Sequence, residues 1–139
     1  MSTRDTLLLS NAKFYEAFET ADIEALDELW SHGLTTMCIH PGWESLKGWD
    51  AIRKSWVSIF ANGETMKFSL RNVSAEVYGS VGVVSLVEEI TFGGQGASQV
   101  VSANATNLFE LQHGSWKIIC HHASPIVAVA SDDLKFRYN

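Results

Sequence analysis

The chain has 139 residues, 46% apolar and 19% charged, which suits one globular domain with a single core and leaves too little for two. Its 16 acidic against 10 basic side chains give a formal charge of −6, so it lacks the basic stripe a phosphate backbone requires, and nucleic acid is not expected as a partner. No apolar run approaches the roughly 20 residues that span a bilayer, Leu7-Leu8-Leu9 is too short and poorly flanked for a signal peptide, and two cysteines imply no disulfide framework. The expectation is a cytoplasmic protein with no membrane partner.

In chain order, Leu7, Asn11, Phe14 and Phe18 recur at three- and four-residue spacing, which predicts a helix whose apolar stripe carries one amide. Asp22 is an N-cap for a second short helix through Ile23, Leu26, Leu29 and Trp30, which Gly33 allows to stop. Thr35 to His40 favours a strand, ended by Pro41-Gly42. A third helix runs from about Trp49 to Phe60, where Ile52, Trp56 and Ile59 or Phe60 share a face, and Asn62-Gly63 closes it. Four strands follow at Met66 to Tyr78, Val81 to Phe92, Ser98 to Leu111 and Trp116 to Ser124, with short connections that favour an antiparallel meander. In the first of these the apolar phase shifts from Met66, Phe68 and Leu70 to Val73, Ala75 and Val77, which predicts a β-bulge near Arg71-Asn72 that bends the sheet. Helices followed by strands read as α+β: three N-terminal helices packed on a curved, mostly antiparallel sheet, with residues 1–139 as a single domain.

Phe14-Tyr15-Glu16-Ala17-Phe18, Ala21-Asp22, His40-Pro41-Gly42-Trp43, Gly48, Ser55-Trp56, Ala105-Thr106-Asn107-Leu108-Phe109 and His121-His122-Ala123-Ser124-Pro125 together carry a likeness that covers nearly the whole chain. The chain resembles the nuclear transport factor 2-like (NTF2-like) superfamily, of cystatin-like fold, in its SnoaL-like and ketosteroid isomerase-like branch. The resemblance implies a cone with a cavity between helices and sheet. It spans isomerases, polyketide cyclases, dehydratases, oligomerisation domains and transport adaptors, so it specifies a scaffold more than a reaction.

The position of the isomerase branch's catalytic aspartate, just before a proline on the first strand, looks like His40, whose neutral imidazole suits base chemistry near pH 7. The positions of its enolate-binding tyrosine and protonated aspartic acid look like Phe14, which cannot donate, and Asn107, an amide donor. Tyr15, roughly 100° further round the helix, is not expected to replace the missing hydroxyl.

A period of two from Trp116 puts Cys120, His122 and Ser124 on one face, so His122 is expected in the pocket and His121 on the outer face or at a dimer seam. On the strand before it Val101, Ala103, Ala105, Asn107 and Phe109 face inward, the small residues leaving room, while Ser102, Asn104 and Thr106 face out. Of Glu88 and Glu89, the former better matches the inward pattern. His40, His122 and Asn107 are therefore the candidate catalytic residues. Phe14, Phe18, Trp43, Trp56, Glu88 and Ala105 are candidates for holding a small apolar ligand. Each has a plainer reading: the tryptophans as core, His40 as a strand-end cap, His122 as a satisfied core imidazole, Asn107 as a stitch between strands.

Cys38 with His40 and Cys120 with His122 would make a Cys2His2 metal set if their strands adjoin, but i,i+2 spacing on strands matches no recognised zinc motif, so neither a metal nor a cofactor is expected. Thr106, Ile119 and Leu108 mark an outer sheet face suited to a homodimer. The leading functional expectation is a small-molecule pocket protein, an isomerase, cyclase or dehydratase acting on an apolar, carbonyl-bearing ligand through histidine. The alternative is a non-enzymatic ligand-sensing or oligomerisation module.

Overall fold

A computed structural model describes residues 1–63, 65–93 and 99–127. Its elements run α1 (Thr3–Glu19), α2 (Ile23–Leu29), β1 (Met37–Ile39), β2 (Leu46–Lys47), α3 (Trp49–Phe60), β3 (Met66–Tyr78), β4 (Val81–Phe92), β5 (Gln99–Gln112) and β6 (Ser115–Pro125). The expected start of β5 at Ser98 lies outside the described residues. A six-stranded sheet has the order β2-β1-β6-β5-β4-β3; β3 to β6 form the antiparallel meander, and β1 closes it by pairing parallel with β6. The three helices all precede the long strands, but β1 and β2 intervene between the second helix and the third. No helix among the described residues is long and apolar enough to cross a membrane.

The helix signals act as their chemistry dictates. Ser2 and Asp5 form a reciprocal capping box on α1, and the Asp22 carboxylate accepts from the Ala25 amide at 3.1 Å to start α2. α2 stops at Leu29, before Gly33, because Trp30 turns its indole into the core (1% exposed) and its backbone bridges to Ile118. Gly82 lets α1 close on β4: a Cβ there would sit 2.6 Å from Leu7 Cδ1.

The bulge in β3 lies where the phase shift puts it. Register slips between Arg71 and Ser74, Asn72 takes a positive φ of 56°, and Met66 and Ala75 on either side are both buried inward. β3 is also a sheet edge, and α1 lies along it, tied at both ends. Arg4 Nε donates to the Ala75 carbonyl at 3.0 Å, and the Glu19 carboxylate accepts from the Phe68 amide at 2.8 Å. The lengths match: Arg4 to Glu19 covers about 22 Å of helix, and Phe68 to Ala75 about 23 Å of strand. These bonds blunt an otherwise unpaired edge.

Candidate functional site

The helices and the concave face of the sheet enclose a core of aromatic rings, and among the polar side chains buried there are Asn11, His40, Glu88, Asn107 and His121, each 3% exposed or less. The Tyr15 hydroxyl joins them. α1 is embraced by β3, β4 and β6, so its buried arc is wide enough to include both Phe14 and Tyr15. Tyr15 therefore points inward, contrary to the expectation from its offset around the helix. Phe14 is fully buried and, as expected, is no donor.

One hydrogen-bonded chain links five of these groups, all but His40. Asn107 Nδ2 donates to Asn11 Oδ1 at 2.9 Å and to Tyr15 Oη at 3.2 Å, and Tyr15 Oη donates to Glu88 Oε2 at 2.6 Å. With both amide hydrogens of Asn107 committed, its Oδ1 must accept, so His121 Nδ1 carries a hydrogen and donates to it at 2.6 Å. The His121 Nε2 lone pair is left without a partner among the described residues.

His121 thus takes the inward place assigned to His122. The cause is a bulge: Leu108 pairs with Cys120 but Phe109 pairs with Ile118, so Ile119 is an extra residue that inverts the side-chain parity after it. Trp116 and Ile118 face inward before the bulge, His121 and Ala123 after it, and His122 is exposed on the outer face. The run Ile118-Ile119-Cys120, apolar at three successive positions, is the sequence signal of that slip. The same inversion takes His122 away from Cys38 and His40, so the Cys2His2 set is not assembled. Among the described residues no group of three or more His, Cys, Asp or Glu is placed to hold a metal.

His40 sits at the end of β1, where Pro41 and Gly42 (φ 83°) fill the central positions of a type II turn closed by Trp43 N–H to His40 O at 2.9 Å. Ser55 donates its hydroxyl to the Ile52 carbonyl at 2.6 Å, so His40 Nε2 carries the hydrogen shared with Ser55 Oγ at 2.8 Å, and Nδ1 is the acceptor nitrogen, with the Cys38 thiol 3.9 Å away as a weak donor. Cys38 Sγ lies 3.6 Å from Nε2. The turn lays Trp43 against the outer side of the His40 ring (centroids 4.8 Å apart) and leaves its indole 46% exposed, as a cover rather than an interior wall. Trp56 packs edge-on against the inner side at 4.7 Å.

Burial sets the charge states. It lowers His40 to about 4 and His121 to about 3, the latter also through His40 and His122, so both inner imidazoles are neutral at pH 7. It raises Glu88 to about 7, against the opposing effect of the Tyr15 hydrogen bond. Tyr15 is pushed well above its usual range by burial and by the Glu88 charge. Glu89 faces out and pairs with Arg71, so the choice of Glu88 as the inward carboxylate holds.

Aromatic rings fill much of the expected hollow. Phe14 contacts Trp30, Trp56 and His121 at centroid distances of 6.1, 5.8 and 5.0 Å, Phe18 packs 4.6 Å from Trp56, and Ala105 is buried beneath them on β5. Two concavities open elsewhere. One of about 540 Å³ lies between α1, α2 and the start of β6, and one of about 260 Å³ lies on the outer sheet face near Asn72, Ser85, Asn104 and Thr106. Neither is lined by the buried polar groups. Within the ring cluster, the indole Nε1–H groups of Trp30 and Trp56 have no hydrogen-bond acceptor among the described residues. Trp30, Tyr15 and His121 are not among the catalytic or ligand-binding candidates read from the sequence, which places Trp30 on the second helix, Tyr15 off the inner stripe and His121 on the outer face.

The chain resembles known proteins over most of its length. A structure of a candidate dehydratase of the NTF2-like family from Streptomyces avermitilis superposes with a TM-score of 0.83 at 36% identity, covering 90% of this chain and 96% of that one. A candidate calcium/calmodulin-dependent protein kinase type II association domain from Thiobacillus denitrificans superposes with a TM-score of 0.75 at 25% identity, covering 85% and 93%. F-box protein SKIP8 of Arabidopsis thaliana is 23% identical over 123 residues, 88% of this chain, and the chain spans about half the length of that relative (51%). The profile of the SnoaL-like domain matches residues 9–128, and the chain belongs to this SnoaL-like family within the NTF2-like superfamily.

Proposed function

We propose that this protein binds a small, neutral, carbonyl-bearing molecule in its interior and moves a proton on it, leading to isomerisation or dehydration. The observation that carries this reading is the pair of buried indole donors, Trp30 and Trp56, left without acceptors beside a neutral imidazole with an unused lone pair. A buried donor without a partner costs about 1–3 kcal/mol, and a ligand oxygen would relieve that cost. Among the described residues no lysine or arginine is buried, so the chemistry favours a ketone or enone over a carboxylate or phosphate.

Glu88 is the proton carrier in this reading, since an acid with a pKa of about 7 exchanges protons at neutral pH with little driving force wasted. Its carboxylate takes the hydrogen α to the carbonyl, an indole N–H holds the enolate oxygen, and the proton returns to carbon or a β-hydroxyl departs with it as water. Asn107 and Tyr15 position Glu88. His40 offers its Nδ1 lone pair to a ligand hydroxyl. His122, on the outer face, takes no part.

The test is exchange of the α-hydrogens of a panel of small neutral ketones in D2O, followed by proton NMR. Catalysed exchange that rises with pH through about 7 and drops about 100-fold or more in Glu88→Gln supports the reading. No exchange across the panel favours the second reading, a non-enzymatic assembly module, which the ring-filled interior supports.

A homodimer through the outer sheet face belongs to either reading. What supports it is the row Ser74, Ser85, Thr106 and His122, aligned across four strands, exposed and free of acidic and lysine or arginine side chains, with Arg71, Glu89 and Glu110 nearer the margins. Sedimentation at micromolar concentration is expected to give a dimer that Thr106→Arg converts to monomer. Wild-type protein that sediments only as monomer refutes it.

A further inference from the structure

One line of rings from the buried cluster to the surface runs through Phe68. Phe68 lies 4.5 Å from Phe18 and 5.5 Å from Tyr15, and Phe18 in turn touches Trp56. Phe68 is half-buried, so it is the outermost ring of a path leading to both the indole and the Tyr15–Glu88 pair.

The backbone that carries this ring is held from one side only at its amide. Gly93 N–H donates to the Thr65 carbonyl, so residues 65, 67 and 69 exchange bonds with β4, while the amides of 66, 68 and 70 point off the sheet edge. Among the described residues no strand lies beyond β3. The Phe68 amide is instead taken by Glu19, at the last turn of α1. The matching bond at the other end of α1, from Arg4 to Ala75, lies on the far side of the bulge, where the one ring of the strand, Tyr78, is exposed and stands apart from the cluster.

We infer that Glu19 latches Phe68 over the entry to the interior, and that release of its carboxylate from the Phe68 amide admits a small neutral molecule to Trp56, Tyr15 and Glu88. As a route for a ligand the latch rests on the function proposed above; as a gate on solvent it stands alone. When the latch opens, the first segment of β3 swings from α1 while its bonds to β4 persist, and Phe68 leaves Phe18 and Tyr15.

The experiment measures hydrogen exchange of the Phe68 amide and of the Trp56 indole Nε1–H by NMR in the full chain, with no ligand. In Glu19→Ala both are expected to exchange at least about fivefold faster, the effect of losing one charge-assisted hydrogen bond. Glu19→Gln keeps an acceptor oxygen and is expected to stay near the wild-type rates. Arg4→Ala loses a comparable edge bond and is expected to leave the Trp56 indole unchanged.

A wild-type rate at Trp56 in Glu19→Ala overturns the latch. So does equal acceleration in Arg4→Ala, or an acceleration fully accounted for by lower global stability in urea. These outcomes leave the ligand reading standing, and absence of any ligand leaves the latch measurable.

Discussion

Asn107→Ala is expected to destabilise the protein by on the order of 3–5 kcal/mol, one of the two largest effects in the molecule. The side chain is fully buried and makes three hydrogen bonds, to Asn11, Tyr15 and His121. Truncation strands the buried His121 Nδ1–H and Asn11 carbonyl oxygen, and leaves a void between α1 and β5. The urea midpoint should fall with the slope unchanged. His121→Phe removes one of the stranded groups, so the double variant should lose less than the sum of the two single ones. A loss under about 1 kcal/mol for Asn107→Ala would mean that the chain of hydrogen bonds contributes little to holding α1 against the sheet.

The second large effect is the dependence of stability on pH. Glu88 moves from an ordinary 4.5 to about 7 on folding, so the native state holds a proton that the unfolded chain has released. Its contribution is fully present below pH 4.5 and is lost as pH rises through about 7, a swing of roughly 3 kcal/mol at 1.36 kcal/mol per unit. His40 and His121 move the other way, from 6.5 to about 4 and about 3, so their contribution is present above 6.5 and lost as pH falls.

Between pH 4.5 and 6.5 the unfolded chain therefore binds two protons at the imidazoles and the native chain one at Glu88, so stability rises with pH by a net of one proton. Above 6.5 only Glu88 differs, and stability falls until it ionises. From these three groups a maximum is expected near pH 6.5. Glu88→Gln keeps an acceptor for Tyr15, removes the decline above the maximum and doubles the slope below it. Denaturation midpoints from pH 4 to 9 test both signs; an unchanged decline in Glu88→Gln would place its origin elsewhere.

Much of the architecture is legible in periodicity. The stripe Leu7, Asn11, Phe14, Phe18 sets the inward face of α1, the phase shift after Leu70 marks the bulge in β3, and alternation along β5 puts Asn107 inside. β2, two residues long, carries no periodic signal at all. The site is less legible, for two physical reasons. The extra residue at Ile119 reverses the parity of everything after it, which exchanges His121 for His122. The arc of α1 covered by a curling sheet is wider than one stripe, which brings in Tyr15. The filling of the interior by Trp30 and Trp56 depends on how tightly the sheet closes, and no local pattern reports that.

The central claim, that the buried polar groups form a ligand site, is tested most directly by the indole N–H resonances of the protein during titration with small neutral ketones. The account predicts downfield shifts at Trp30 and Trp56 as each gains an acceptor, with Trp49 and Trp116 unmoved. Shifts confined to the exposed Trp43, or none at any tryptophan across the panel, would contradict it.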